Sequence, residues 1–152
     1  MSTTEVQARA AVKARLPADE IGFPMYWQGD QAPTLPDDPA AFAFIVFNNQ
    51  GSGGRPVAFG GGVGHNLYRY SAMVEAFVLS PIGSEIGAEM VLNRAEQIAS
   101  RLRSFRDDAI SVHAADARYV GSGSDISVPG LFPVNNYQCA VAEISLTFDQ
   151  IG

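Results

Sequence analysis

Few residues of this chain are placed to do chemistry. Cys139 is the single cysteine, and His65 and His113 are the two histidines. A thiolate–imidazole pair is therefore the first arrangement to weigh. Cys139 stands inside an alternating run, whereas nucleophiles usually occupy loops or turns that substrate can reach. A buried, inert thiol is the expectation. A lone cysteine makes no internal disulfide, and no Cys/His spacing suits zinc. His113 and Asp116 are three apart in a strand-like run, which sends their side chains to opposite faces and leaves a surface histidine. The string Gly60-Gly-Gly-Val-Gly-His65 has His where a dinucleotide fingerprint needs its last glycine, and the residues after it are strand-like. No helix N-terminus would meet a phosphate there. Asp37-Asp38 and Asp107-Asp108 lie beside expected turns, where aspartate is favoured for local hydrogen bonding. Glu75 and Glu143 are more demanding, because a carboxylate in a largely apolar strand wants an arginine. Arg69 and Arg118 are the candidates, from the same chain or a neighbouring copy.

The elements that must position these residues follow from pattern. Ser2-x-x-Glu5 is a capping-box signature, and Val6 to Leu16 is rich in helix formers before Pro17 stops it. Its alanines (Ala8, Ala10, Ala11, Ala14) suit packing against a sheet. Residues 17 to 40 carry five prolines, leaving room for a short extended piece at Phe23 to Trp27. Phe42 to Phe47 reads as a strand apolar on both faces. Asn48 to Gly64 is dense in glycine around Pro56-Val-Ala-Phe59, which predicts a long, mobile hairpin arm. Leu67 to Leu79 is extended. The spacing of Val91, Ala95, Ile98, Leu102 and Phe105 predicts a long helix over about residues 84 to 106, with Ser84 as N-cap. Two strands close the chain, Ile110 to Val120 and Tyr137 to Phe148, separated by a Gly/Ser/Pro-rich loop. In the last, Ala140, Ala142, Ile144, Leu146 and Phe148 share one face.

Length and charge bound the function. With 152 residues, one domain spanning 1–152 is expected. Apolar residues make up 47% and charged residues 17%, which suits a globular core and not disorder. No apolar run approaches the ~20 residues of a membrane span. The first residues do not resemble a secretory signal, so the expectation is a soluble protein of a reducing compartment. Sixteen acids against ten bases leave a net charge of −6, and Lys13 is the one lysine. Tight binding to nucleic acid needs a dense basic face, which is missing here.

The element order predicts an α+β fold: an antiparallel sheet of about four strands, two helices on one face, and a long Gly-rich β-hairpin arm. The other face of the Phe42–Phe47 strand is too apolar for water. Association with further copies, through that face or the sheet edges, is the expected remedy.

The N-terminal helix, Pro-rich stretch, aromatic strand and Gly-rich arm ending at Arg69 form a recognisable series. So do Val78-Leu-Ser-Pro-Ile-Gly-Ser84 leading into the long helix, and the alternating last strand running into Phe148-Asp149. Over nearly the whole chain, this order resembles the tail-terminator family of long-tailed bacteriophages and gene-transfer particles. The resemblance implies a structural virion protein, made in the host cytoplasm and placed at the head-proximal end of the tail. It implies a homohexameric ring that ends polymerisation of the tail tube protein and joins the head-tail connector protein. DNA passes through its lumen without specific binding, which a net-negative, acidic bore would favour. No catalytic, cofactor-binding or metal residue is implied. Contacts with other subunits or the tube are expected at Phe44, Val46, Arg55, Phe59, Arg69, Val141 and Glu143. The nearest alternative is another ring protein of the tail or neck, either a tube or a head-completion subunit. A small enzyme or ligand-binding domain, with a pocket under the arm near His65, Tyr68 and Tyr70, is the alternative of a different class.

Overall fold

A computed structural model describes residues 2–22, 24–30, 41–49, 54–58, 60, 64–83, 87–123, 128 and 136–151. Helix α1 spans Glu5–Arg15 and a short α2 spans Ala18–Ile21. Strands β1 (Met25–Trp27), β2 (Phe42–Asn49), β3 (Arg55–Ala58) and β4 (Leu67–Pro81) follow. Helix α3 (Ala88–Leu102) precedes β5 (Ser111–Ser122) and β6 (Tyr137–Ile151). The class is α+β as expected, but the sheet has six strands where about four were expected. The order is β1-β2-β4-β6-β5, with β3 continuing β2's side of β4. Only β1–β2 is parallel. The extra strands are β1 and β3, each short and lodged in Pro- or Gly-rich sequence, where the period-2 signal is weakest.

Helix α1 is capped further along the chain than the sequence suggests. Thr4, not Ser2, is the N-cap, and it exchanges hydrogen bonds with Gln7 in a capping box. Ser2 instead accepts from the Ile151 N–H, and the Thr3 N–H donates to the Asp149 carbonyl at 2.7 Å. The buried face of α1 is Ala8 and Val12, continued by Leu16, at i, i+4, i+8. Ala10 and Ala14 are exposed. Helix α3 is shorter than the expected 84–106. Its N-cap is Gly87, which offers no side-chain cap, while Ser84 and Glu85 lie outside the described residues. It ends where Ser104 takes a left-handed φ of 59°.

The expected stripe of α3 is buried through Leu102, with Phe105 beyond the helix end beneath the Arg15 guanidinium at 4.5 Å. Both helices pack on one face of the sheet. There Ala8, Val12, Val91, Ile98 and Leu102 meet Ile45, Val74, Val78, Ile144 and Leu146 in one cluster. Burial of side chains such as Ile98 or Leu102 stabilises the fold by about 1.5–3 kcal/mol each.

The opposite face divides in two. Toward one end Phe42, Phe44, Val46, Phe77, Leu79, Tyr137, Cys139 and Val141 form a second cluster, none more than 6% exposed. Tyr26, Val120 and Val128 pack against it, and Phe42 meets Tyr26 and Tyr137 edge-on at 5.9 and 5.7 Å. This corrects the expectation that another copy must cover this face: a single chain buries it. Val128, in the Gly/Ser/Pro-rich segment expected to be a plain loop, contributes to that cover. Toward the other end the same face turns polar, with Glu75, Glu143 and Asp116 in register across β4, β6 and β5.

Candidate functional site

A cleft lies at the polar end of the sheet, between the end of β6 and the turn that leads into β5. Its volume is about 410 Å³, and Arg69, Arg106, Asp108, His113, Thr147 and Asp149 are among its lining residues. Arg69 reaches across from β4 and grips the Asp149 carboxylate with Nε and Nη2, both at 2.8 Å. The two are direct partners in the β4–β6 register, so the pairing is built by strand alignment. This bond holds the Asp149 carboxyl below its ordinary range; partial burial opposes it, and the charges of Arg69 and Arg106 reinforce it.

The turn is folded by Asp107, whose Oδ1 accepts from the N–H groups of Ala109 and Ile110, both at 2.8 Å. That geometry is the local hydrogen bonding for which aspartate is favoured in turns. Asp108 beside it is exposed and makes no hydrogen bond or ion pair among the described residues. His113 sits at a bulge in β5, exposed as expected, with Nε2 2.8 Å from the Thr147 hydroxyl. The cleft is not under the arm: His65, Tyr68 and Tyr70 do not line it. Among the described residues, no group of acidic, His or Cys side chains is arranged to hold a metal. Cys139 is buried, and burial pushes its thiol up to about 12, so little thiolate forms near neutral pH.

The residues expected at contacts fall into three groups. Phe44, Val46 and Val141 are interior residues of the second cluster and offer no surface. Glu143 is paired within the chain, receiving Nη2 of Arg118 at 2.9 Å, while Arg69 serves Asp149 and not Glu75. Arg55 is exposed on β3, and Phe59 lies outside the described residues. The structure brings Arg55 and Arg69 together as direct cross-strand partners, two like charges on one face. It separates both from Phe44 and Val141.

Three unpaired strand edges among the described residues, the outer sides of β1, β3 and β5, have no signature in the sequence. No strand pairs them, but the start of the β5 edge is covered by the segment before it, where Arg106 bridges Ser111 and the Val112 N–H donates to the Phe105 carbonyl. The β5 edge carries Tyr119, 41% exposed, and two irregularities that interrupt its ladder. Sequence signals for a strand do not say which strands end up outermost.

No protein-family model matches the chain, and no curated protein matches it. Solved structures do. One, whose name says nothing of its activity, aligns over 95% of this chain and 95% of its own, with a TM-score of 0.51 at 16% identity. At that identity the likeness shows a shared fold, an α+β sheet of this kind, and nothing finer.

Proposed function

We propose that this chain is a ring-forming structural protein of a phage-like particle, a tail terminator that caps the tail tube and meets the head connector. The observation that carries the reading is the match between the outer edges of β1 and β5, which no strand pairs among the described residues. Following the register across the sheet, Met25 aligns through Ala43, Val78 and Ala140 with Tyr119, and Trp27 aligns through Ile45, Ala76 and Ala142 with Ala117. The outer edge of β1 and the Ala117–Tyr119 part of the β5 edge therefore stand at one height. They also run in opposite directions. A copy set beside another without inversion would extend the sheet by an antiparallel junction, β5 of one against β1 of the next. Such a head-to-tail contact closes into a ring when its rotation permits.

Charge agrees with passage of DNA, since a net charge of −6 disfavours trapping of phosphates. Chemistry is not the role that this reading assigns: the one thiol is buried, and the cleft's Asp107 and Asp149 are engaged in turn and strand contacts. The β3–β4 hairpin is the arm of this reading, which assigns it to contact with tube or connector. Light scattering and negative-stain microscopy of the purified protein, alone and with tail tubes, test the proposal. Rings of about six copies, free or at tube ends, are expected from the family resemblance. A single chain at every concentration that ignores tail tubes would overturn it.

A further inference from the structure

We infer that the lateral contact between copies contains an ion pair, Arg55 of one copy with Asp108 of the next. This rests on the ring reading and names the side chains that would fix its register. From Asn48 to Gly64 the only formally charged residue is Arg55. It is exposed, it makes no hydrogen bond or ion pair among the described residues, and it faces Arg69 directly across the β3–β4 ladder. Like charges set opposite each other cost stability. Arg69 is spoken for by Asp149, so Arg55 is left, among the described residues, as a guanidinium without a carboxylate.

The opposite side of the sheet holds the complement at the same height. Arg55 aligns through Arg69 with Asp149, and Asp149 lines the cleft together with Asp107 and Asp108. Of those two, Asp107 is occupied in folding its turn, while Asp108 has no such bond among the described residues. Arg106 also lines this cleft and would repel an incoming guanidinium, but its charge is opposed by the nearby Asp149 carboxylate.

Spacing supports the pairing. Strand β3 lies one strand out from β4, whereas β1 lies two strands out. When β1 of one copy pairs with β5 of its neighbour, β3 stands back from the β5 position by two strand spacings, roughly 10 Å. A backbone ladder cannot cross that gap, but a long guanidinium side chain and a carboxylate can. The pair would lie at the rim of the interface, where charges set register and partner choice.

Charge reversal tests it. The variants are Arg55→Glu, Asp108→Arg and the two combined, each followed by light scattering across protein concentration and by thermal melting at a concentration where the chain is single. Either single reversal should raise the concentration for half-assembly by about tenfold or more, since it juxtaposes like charges, and the combined reversal should restore it. Arg55→Glu should leave the melting temperature of the single chain unchanged or higher, because glutamate would face Arg69. If the unaltered protein assembles and the single reversals assemble equally well, the ion pair is wrong and the ring stands. The ion pair is equally wrong if the combined reversal stays as weak as the singles. If the unaltered protein never assembles, even on tail tubes, the ring reading falls first and this inference with it.

Discussion

Arg69 and Asp149 illustrate how much a single pair here depends on strand alignment. Their bidentate contact depresses the Asp149 carboxyl, so the group favours the folded state at pH values above its unfolded pKa of about 3.9. That contribution is lost as pH falls through the still lower folded value. Asp149→Asn should therefore destabilise the chain at neutral pH, and the difference from the unaltered protein should shrink below about pH 4. The loss is expected to be at most about 1 kcal/mol, because Arg69 is partly solvated. Thermal melts from acid to neutral pH measure it, and a difference that grows toward acid would contradict the assignment. Sequence could name Arg69 as a candidate partner for a strand carboxylate, Glu75 or Glu143. It could not choose Asp149 over Glu75, since the choice is made by the register between β4 and β6 and by the side of the sheet on which Arg118 meets Glu143.

Among the elements, the long ones were legible and the short ones were not. The α3 stripe and the alternation of β6 survive from sequence to structure because each repeats its period over many residues. Strand β3 has four residues, one of them Pro56, and exists because β4 extends far enough to hold it. Its conformation is conditioned by Gly54, where a Cβ would stand 2.6 Å from Tyr68 Cβ and 2.8 Å from the Tyr70 ring. Close approach of backbone to these aromatics is the reason for glycine at this position. Gly60 is similarly placed, with a Cβ there running into the His65 carbonyl oxygen. Gly54→Ala should push β3 off β4, costing about 1–3 kcal/mol locally, the usual range for overpacking. Hydrogen exchange should then quicken at the Val57 and Ala58 amides while amides of β6 keep their protection. An unchanged exchange pattern would mean that the hairpin tolerates the extra methyl. If the ring contact uses Arg55, this substitution should also weaken assembly without touching any charge.

At the level of the whole molecule, the question is what the second apolar face is for. From sequence, association with another copy is the expected cover, because Phe42, Phe44 and Val46 alternate with an equally apolar set. The structure closes it within one chain, with Tyr26, Val120 and Val128 against it. Sequence periodicity could not foresee this, since Val128 comes from a segment with no period at all. Burial thus separates two properties that the sequence pattern joins: stability of the subunit and association between subunits. Phe44→Ala should act on the first. It removes an aromatic ring that is 2% exposed, for an expected loss of about 3–5 kcal/mol. Denaturant unfolding of the single chain at low concentration should register that loss in full. Assembly measured under conditions where the variant remains folded should be unchanged, because the edges of β1 and β5 and the charges of Arg55 and Asp108 are intact. Were Phe44→Ala instead to leave subunit stability alone and abolish assembly, the face would be a docking surface after all. The free edges would then lose their claim to be the contact between copies.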